Sequence, residues 1–399
     1  MAEYLAPGVY VEEVPSAVKP IAGVGTSTAG FVGISADIAS DDMPAKPGGG
    51  RYTQATALDP QPVNNWVEFQ QKFGDFQAAN QYLAHAVYGF FNNGGTRCWV
   101  CRATTADDVD NAIDCFRDID EIAIVAAPLP PTVSQDALNA LQDKLVSHCQ
   151  GLEDRVAILD CAREITNDNL VVSTDDSGIW RPAANPKGYG AFYFPWIEVS
   201  DPLQPMGTRI AVPPSGHLAG IYARTDAQRG VHKAPANEVI LGALGLRYRV
   251  SKALQGSLNP VGVNCIREFN GTIKVWGART LASDPAGDPE WKYINVRRLI
   301  NFLRESIDEG TQWVVFEPND MALWAKINRN VTAFLTNVWR SGALFGATPQ
   351  EAFYVKCDAE TNPPEVRDLG QVVTEIGVAP VKPAEFVIFR ISQWAGPSK

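Results

Sequence analysis

The sequence is poor in several things that would narrow its chemistry. Its 399 residues include only four His, at 85, 148, 217 and 232, and none stands in an H-E-x-x-H frame. No G-x-x-x-x-G-K-[ST] loop occurs, which removes a familiar phosphate cradle. No apolar run approaches the ~20 residues of a membrane span, and Met1–Gly8 lacks the basic-then-apolar layout of a signal peptide. A protein made and folded inside a cell, with no direct membrane insertion, is therefore expected. Positive charge is also scarce: 34 Lys and Arg stand against 45 Asp and Glu, a net charge of −11. Binding nucleic acid or an anionic membrane requires positive surface to displace counterions, so no nucleic-acid partner is expected. Seven Cys, an odd number scattered from Cys98 to Cys357, read as reduced core thiols rather than a disulfide framework.

The remaining candidates for chemistry are weak. Cys98-Trp99-Val100-Cys101 is a C-x-x-C, but in a strand residues three apart point to opposite faces, so the thiols would diverge. GVGTSTAG, Gly23 to Gly30, has a Pro-rich stretch before it and a strand after it, the wrong frame for a dinucleotide loop. Ser215-Gly216-His217 lacks the strand, elbow and helix of a hydrolase nucleophile. Asp41-Asp42 and Asp107-Asp108-Asp110 fall in a loop and at a helix start, where solvation and the helix dipole account for them. No catalytic residue, metal ligand or cofactor site is assigned. A cytosolic αβ enzyme or ligand-binding protein survives only because carboxylates distant in sequence can meet in a fold.

What is present is length enough for two units, 45% hydrophobic residues, and a clear αβ cycle. From Val63 on, helices are expected over Asn64–Gly74, Ala78–Gly95, Thr105–Phe116 and Ser134–Gln150. Strands are expected at RCWVCRA, EIAIVAAP and RVAILDC. That alternation predicts a partly parallel sheet with helices on its faces. AFYFPWIEV reads as one strand between long loops, Asn167–Gly190 and Ser200–Gly230. Glu238–Val250 and the stretch leading to Leu258 read as helix and turn, and Asn264–Trp276, with Asn270-Gly271 at its centre, as a hairpin opening a second unit. YINVRRLINFLRESIDEG carries an apolar stripe stopped by Gly310, TQWVVFE reads as a strand, and Asp320 caps a longer helix. Gln371–Ala379 and EFVIFRISQW are the closing strands.

Both ends raise a pairing problem. Val9, Tyr10, Val11 and Val14 make a short strand without a hairpin partner, tethered by the small-residue connector Val18–Thr28. The closing strand carries Phe386, Val387, Ile388, Phe389 and Ile391. Between them, Met321–Gln350 contains no acidic residue at all, while Lys326, Arg329 and Arg340 lie on the helix that follows Asp320. That face is either an ordinary solvated one or a dock for an acidic partner.

YLAPGVYVEEV, WGARTL (Trp276–Leu281), the YINVRRLINFLRESIDEGTQWVVFEPND block and EFVIFRISQ together resemble the sheath proteins of contractile phage tails and contractile injection systems. The resemblance implies an α+β (mixed αβ) fold. An N-terminal arm and linker (1–22) and a C-terminal region (263–380) would form the inner domain, 23–262 an inserted outer αβ domain, and 381–399 a C-terminal arm. It implies that Val9, Tyr10, Val11 and Val14, with Phe386, Val387, Ile388, Phe389 and Ile391, pair with neighbouring subunits by strand addition. It further implies inner-tube contact through Lys326, Arg329 and Arg340. The expected partners are further copies of the chain in hexameric rings, the inner tube, and baseplate and terminal cap proteins. Assembly in the cytoplasm and incorporation in a phage tail or tail-like particle are the expected setting. Another strand-swapped component, such as a baseplate or terminator protein, is the alternative within this class.

Overall fold

The structure, a computed structural model, describes residues 20–164, 181–283 and 290–390. Its centre is an eight-stranded sheet ordered β11-β10-β6-β5-β4-β1-β3-β2. The strands are β1 (Ala29–Ile34), β2 (Gln61–Val63), β3 (Cys98–Ala103), β4 (Ile124–Ala126), β5 (Val156–Asp160) and β6 (Gly190–Phe194). In chain order follow β7 (Ile197–Ser200), β8 (Arg209–Val212), β9 (Gly245–Leu246), β10 (Val263–Phe269) and β11 (Thr272–Val275). All pairings from β3 through β10 are parallel, and antiparallel β2 and β11 finish the edges.

The period of two is visible in how these strands divide their side chains. On β5, Val156 and Ile158 join one core while Ala157 and Leu159 join the other. One face is covered by α1 (Trp66–Phe73), α2 (Gln81–Asn92) and α5 (Ser215–Arg229); the other by α3 (Val109–Asp114) and α4 (Gln135–Leu152). Burial on both faces explains why β1, β4 and β5 read as unbroken apolar runs. Cys98 and Cys101 fall in opposite cores, as the strand geometry requires. Burial pushes the Cys101 thiol up to about 12.

After α6 (Lys252–Leu258) comes a third core, built by α7 (Ile294–Thr311), α8 (Met321–Arg340), α9 (Pro349–Ala352) and a two-stranded sheet whose strands are joined through α10 (Pro364–Asp368). That sheet is β12 (Phe353–Lys356) against β13 (Glu375–Val378). Asp320 caps α8, its carboxylate accepting from the Leu323 N–H at 2.8 Å. The fold is α+β, with mixed helices and sheets, as expected.

Several expectations are corrected. Ser200–Gly230 is not a loop: it holds β8 and the buried helix α5, whose packing on α2 relies on small residues. A Cβ at Gly216 would stand 2.3 Å from the Ala86 backbone, and one at Gly220 2.4 Å from the Phe90 carbonyl. AFYFPWIEV divides at Pro195, which has no N–H to give a ladder; β6 stays in the large sheet and β7 joins β8 and β9 in a separate one. Of the helix and turn expected from Glu238 to Leu258, Glu238–Val250 holds turns and β9, and the helix forms only as α6 at Lys252–Leu258. TQWVVFE is no strand: α7 continues through Gly310, a 3₁₀ turn follows at Gln312–Val314, and Trp313 and Val314 pack on the third core. The Asn264–Trp276 hairpin does form, with Asn270 at φ 49° and Gly271 at 79°, but it is an edge of the large sheet rather than the start of the C-terminal core.

Residues 21–28 also depart from a free connector. Ile21 is buried in the third core, the Val24 N–H donates to Ser306 Oγ at 3.1 Å, and the Thr26 hydroxyl donates to Asp226 at 2.6 Å. The chain from Ile21 to Thr28 is thus stapled to α7 and α5 before it enters β1.

Candidate assembly interface

Three candidate contact surfaces lie on the C-terminal core. The free edge of β13 is the first. The Ala379 N–H donates to the Ala352 carbonyl at 2.8 Å, so in the register of β12 on β13 the hydrogen-bonded pairs are Tyr354 with Gly377 and Lys356 with Glu375. The main-chain groups of Phe353, Val355, Ile376 and Val378 therefore point away from the shared ladder. On the β12 side, the Val355 carbonyl accepts from the Asn328 side chain of α8 at 3.3 Å. On the β13 side, no described residue pairs with Ile376 or Val378. An unpaired edge of this kind is a template for another strand.

The second surface is the C-terminal segment. Phe386, Val387, Ile388 and Phe389 are 69%, 69%, 77% and 84% exposed and belong to no sheet among the described residues. The strand expected over Glu385–Trp394 is thus not formed at 385–390. Ile391, like Val9, Tyr10, Val11 and Val14, lies outside the described residues. The root of the segment is firmly held. Glu385 Oε1 accepts from Arg279 Nε at 2.8 Å and Asn259 Nδ2 at 2.7 Å; its Oε2 accepts from a second Arg279 nitrogen at 2.8 Å and the Tyr293 hydroxyl at 2.9 Å. Burial raises the Glu385 pKa, but the bonds from Arg279, Asn259 and Tyr293 outweigh it and leave the carboxyl below its ordinary value. Burial, with the bond to Glu385, pushes Tyr293 up to about 12.

The third surface is α8. Trp324, Ile327, Val331, Phe334, Leu335 and Val338 face the core. Arg329 and Arg340 are exposed and Lys326 half-buried. At about 100° per residue the three fall within one ~60° sector of the helix. Among the described residues none of the three has an ion-pair partner. A groove of about 680 Å³, lined by Met321, Trp324, Asn328, Arg329 and Cys357 among others, runs beside them.

Sequence reasoning placed the exposed segment and the basic face but missed the Glu385 clasp and the β13 edge. It also missed Phe316, fully exposed at φ 70° in the turn before α8. Only a lone acid at the start of the apolar EFVIF hinted at the clasp.

The sequence comparisons bear on what these surfaces serve. Residues 103–281 match the central domain of phage tail sheath proteins, and 286–393 match the phage tail sheath C-terminal domain. The chain belongs to the contractile tail sheath family. It is 29% identical over 180 residues to the tail sheath protein of Vibrio phage KVP40, covering 44% of this chain and 26% of that one. The tail sheath protein of Burkholderia phage BcepMu is 27% identical over 168 residues, covering 40% of this chain and 34% of its own. The chain thus matches between a quarter and just over half the length of its first curated sheath relatives. The sheath complex of PVC, an extracellular contractile injection system, in its contracted state gives 27% identity and a TM-score of 0.75, covering 99% of both chains. The contracted helical sheath of the anti-feeding prophage gives 27% and 0.75, over 97% of this sheath-family chain and 99% of that one.

Proposed function

We propose that this sheath-family chain polymerises as hexameric rings in a helical lattice around an inner tube and contracts to drive that tube through a target envelope. The observation that carries the reading is the combination, on one C-terminal core, of an unpaired β13 edge and an exposed apolar segment rooted beside it. Each copy then offers both an acceptor edge and a donor strand, which is what strand exchange between subunits requires. Val9, Tyr10, Val11 and Val14 are proposed as the second donor, and Ile391 as part of the first. Likeness to a contracted sheath along nearly the whole chain supports the same reading.

Arg329, Arg340 and Lys326 are proposed as the inner-tube contact. Three cations without an ion-pair partner among the described residues favour an acidic surface, and such a contact weakens with salt. The work of contraction is stored at assembly. A preference of even a few kcal/mol per subunit for the contracted lattice, summed over coupled copies, makes firing irreversible without nucleotide. No catalysis or cofactor is invoked. Baseplate and cap proteins would close the two ends, with assembly in the cytoplasm and a place in a phage tail or tail-like particle.

A baseplate-proximal position is the second reading, favoured by a TM-score of 0.74 to a chain of the anti-feeding prophage baseplate. Electron microscopy of the protein alone and with its tube protein, at matched salt, separates the possibilities. Hollow cylinders with sixfold end views are expected, longer and narrower when tube is present. A monomer in both samples overturns the sheath reading, and single rings that never stack favour the baseplate position.

A further inference from the structure

A donor strand leaving beside an acceptor edge of its own chain should fold back onto it. Phe386–Phe389 and the free edge of β13 are separated by the seven residues 379–385, ample for a hairpin loop, and self-pairing would bear no cost of bringing two chains together. Yet the segment stays exposed.

The path of those seven residues explains why. Beyond β13 the chain does not turn: Pro380 bridges Leu344, and the Val381 N–H donates to the Ala343 carbonyl at 3.1 Å. The Val381 carbonyl accepts from Asn295 at 3.3 Å. Glu385 is then seized by Asn259 and Arg279, which flank the hairpin of the large sheet, and by Tyr293 at the start of α7. Arg279 is itself fixed, donating to the Asn259 carbonyl at 2.8 Å and, through its backbone N–H, to Asn264 at 2.7 Å. With its side chain 7% exposed and that of Glu385 18%, this is a partly buried, bidentate, fully engaged pair rather than a surface contact. The Glu385 N–H also closes a tight turn on the Pro383 carbonyl at 3.0 Å, so while the clasp holds, 379–385 is fixed at both Val381 and Glu385 and is not free to form the loop that would return Phe386 to Glu375–Val378.

We propose that the Glu385 clasp is the device that forbids self-pairing and commits the C-terminal strand to another copy of the chain. Glu385 and Arg279 are then positioning residues: they touch no partner, but they decide whether the arm can be given away. The inference rests on the strand-exchange reading above and adds to it the reason that exchange wins over closure. The clasp also joins the two sequence-matched regions, Asn259 and Arg279 lying in the central one, Tyr293 and Glu385 in the C-terminal one.

The test compares the full chain with Glu385→Gln, Glu385→Ala and a truncation after Glu385, by negative-stain electron microscopy and by hydrogen exchange of residues 386–390 in the monomeric fraction. Both substitutions should leave the thermal transition cooperative, cut the polymer at least about tenfold, and protect 386–390 in the monomer as the arm closes on its own β13. Wild-type polymer from both substitutions, with none from the truncation, overturns the clasp and leaves strand exchange standing. Polymer from the truncation overturns strand exchange by the C-terminal segment, and the clasp with it. Loss of polymer without protection of 386–390 also refutes the proposal, since the clasp would then not be preventing closure.

Discussion

Replacing Asp226 by asparagine should destabilise the chain by about 3–5 kcal/mol, the range for breaking a buried ion pair from one side. Asp226, on α5, accepts from two nitrogens of Arg298 on α7 at 2.9 and 2.5 Å, and from the Thr26 hydroxyl at 2.6 Å. Arg298 also donates to the Thr26 carbonyl at 3.0 Å and lies 4.8 Å from the centre of the Tyr222 ring. The two charged side chains are 3% and 4% exposed. An asparagine keeps the shape but strands the Arg298 charge away from water, and desolvation then dominates. Removing both charges with Asp226→Leu and Arg298→Met should recover most of the loss, because no uncompensated charge remains. Urea unfolding followed by tryptophan fluorescence measures both variants, and hydrogen exchange at 24–28 reports whether the N-terminal staple has opened. A loss below about 1 kcal/mol for Asp226→Asn, or a double variant as weak as the single one, would refute this account.

Four further outcomes rest on the same physics. Gly216→Ala puts a methyl against the Ala86 backbone, and the overpacking of about 1–3 kcal/mol should exceed the ~1 kcal/mol of helix propensity gained, giving a lower thermal midpoint. Phe316→Gly should raise the midpoint of the isolated chain, since a bulky residue at φ 70° is strained and its ring is already in water. Buried His85 and His148 are held down to about 4 and His217 to about 3, chiefly by desolvation. Their folded pKa values lie below the ordinary 6.5, so the stability they give is complete above that value and is lost as pH falls toward 4. Asp160 works the other way: burial raises it to about 7 despite its bonds from Ser215, so its contribution fades as pH rises from 4 to 7. Replacing it with asparagine should flatten that limb of a pH–stability curve.

The readable parts of the fold are those whose signal is local. β1, β4 and β5 appear as apolar runs because helices cover both faces, and α8 announces itself by the Asp320 cap and a one-sided stripe. α5 is invisible for a definite reason. SGHLAGIYARTDAQR is buried around most of its circumference at its start, so no stripe develops, and its glycines, which argue for a loop in sequence, serve as contact surface against α2. TQWVVFE misleads in the opposite sense: β-branched and aromatic residues suit a strand, but no edge among the described strands receives them, and the third core takes Trp313 and Val314 as turn residues instead.

The candidate interface divides along the same line. The basic face of α8 was legible because absence is local: a window from Met321 to Gln350 without one acid can be read directly. The clasp was not, since Glu385 meets partners 92, 106 and 126 residues away and only folding brings them together. What the sequence did carry was a strand propensity in EFVIF with no partner in sight, and the fold leaves it so, fixed at its root and exposed beyond it. Propensity without a partner among the described residues is a local-to-global conflict, the pattern expected where function rather than stability chose the residues. Here the conflict has a specific resolution. On the proposed reading, an apolar segment held off its own edge by the Arg279–Glu385 salt bridge loses its exposure by leaving the subunit, and the pairing energy that would otherwise stabilise one chain becomes available to hold a lattice together.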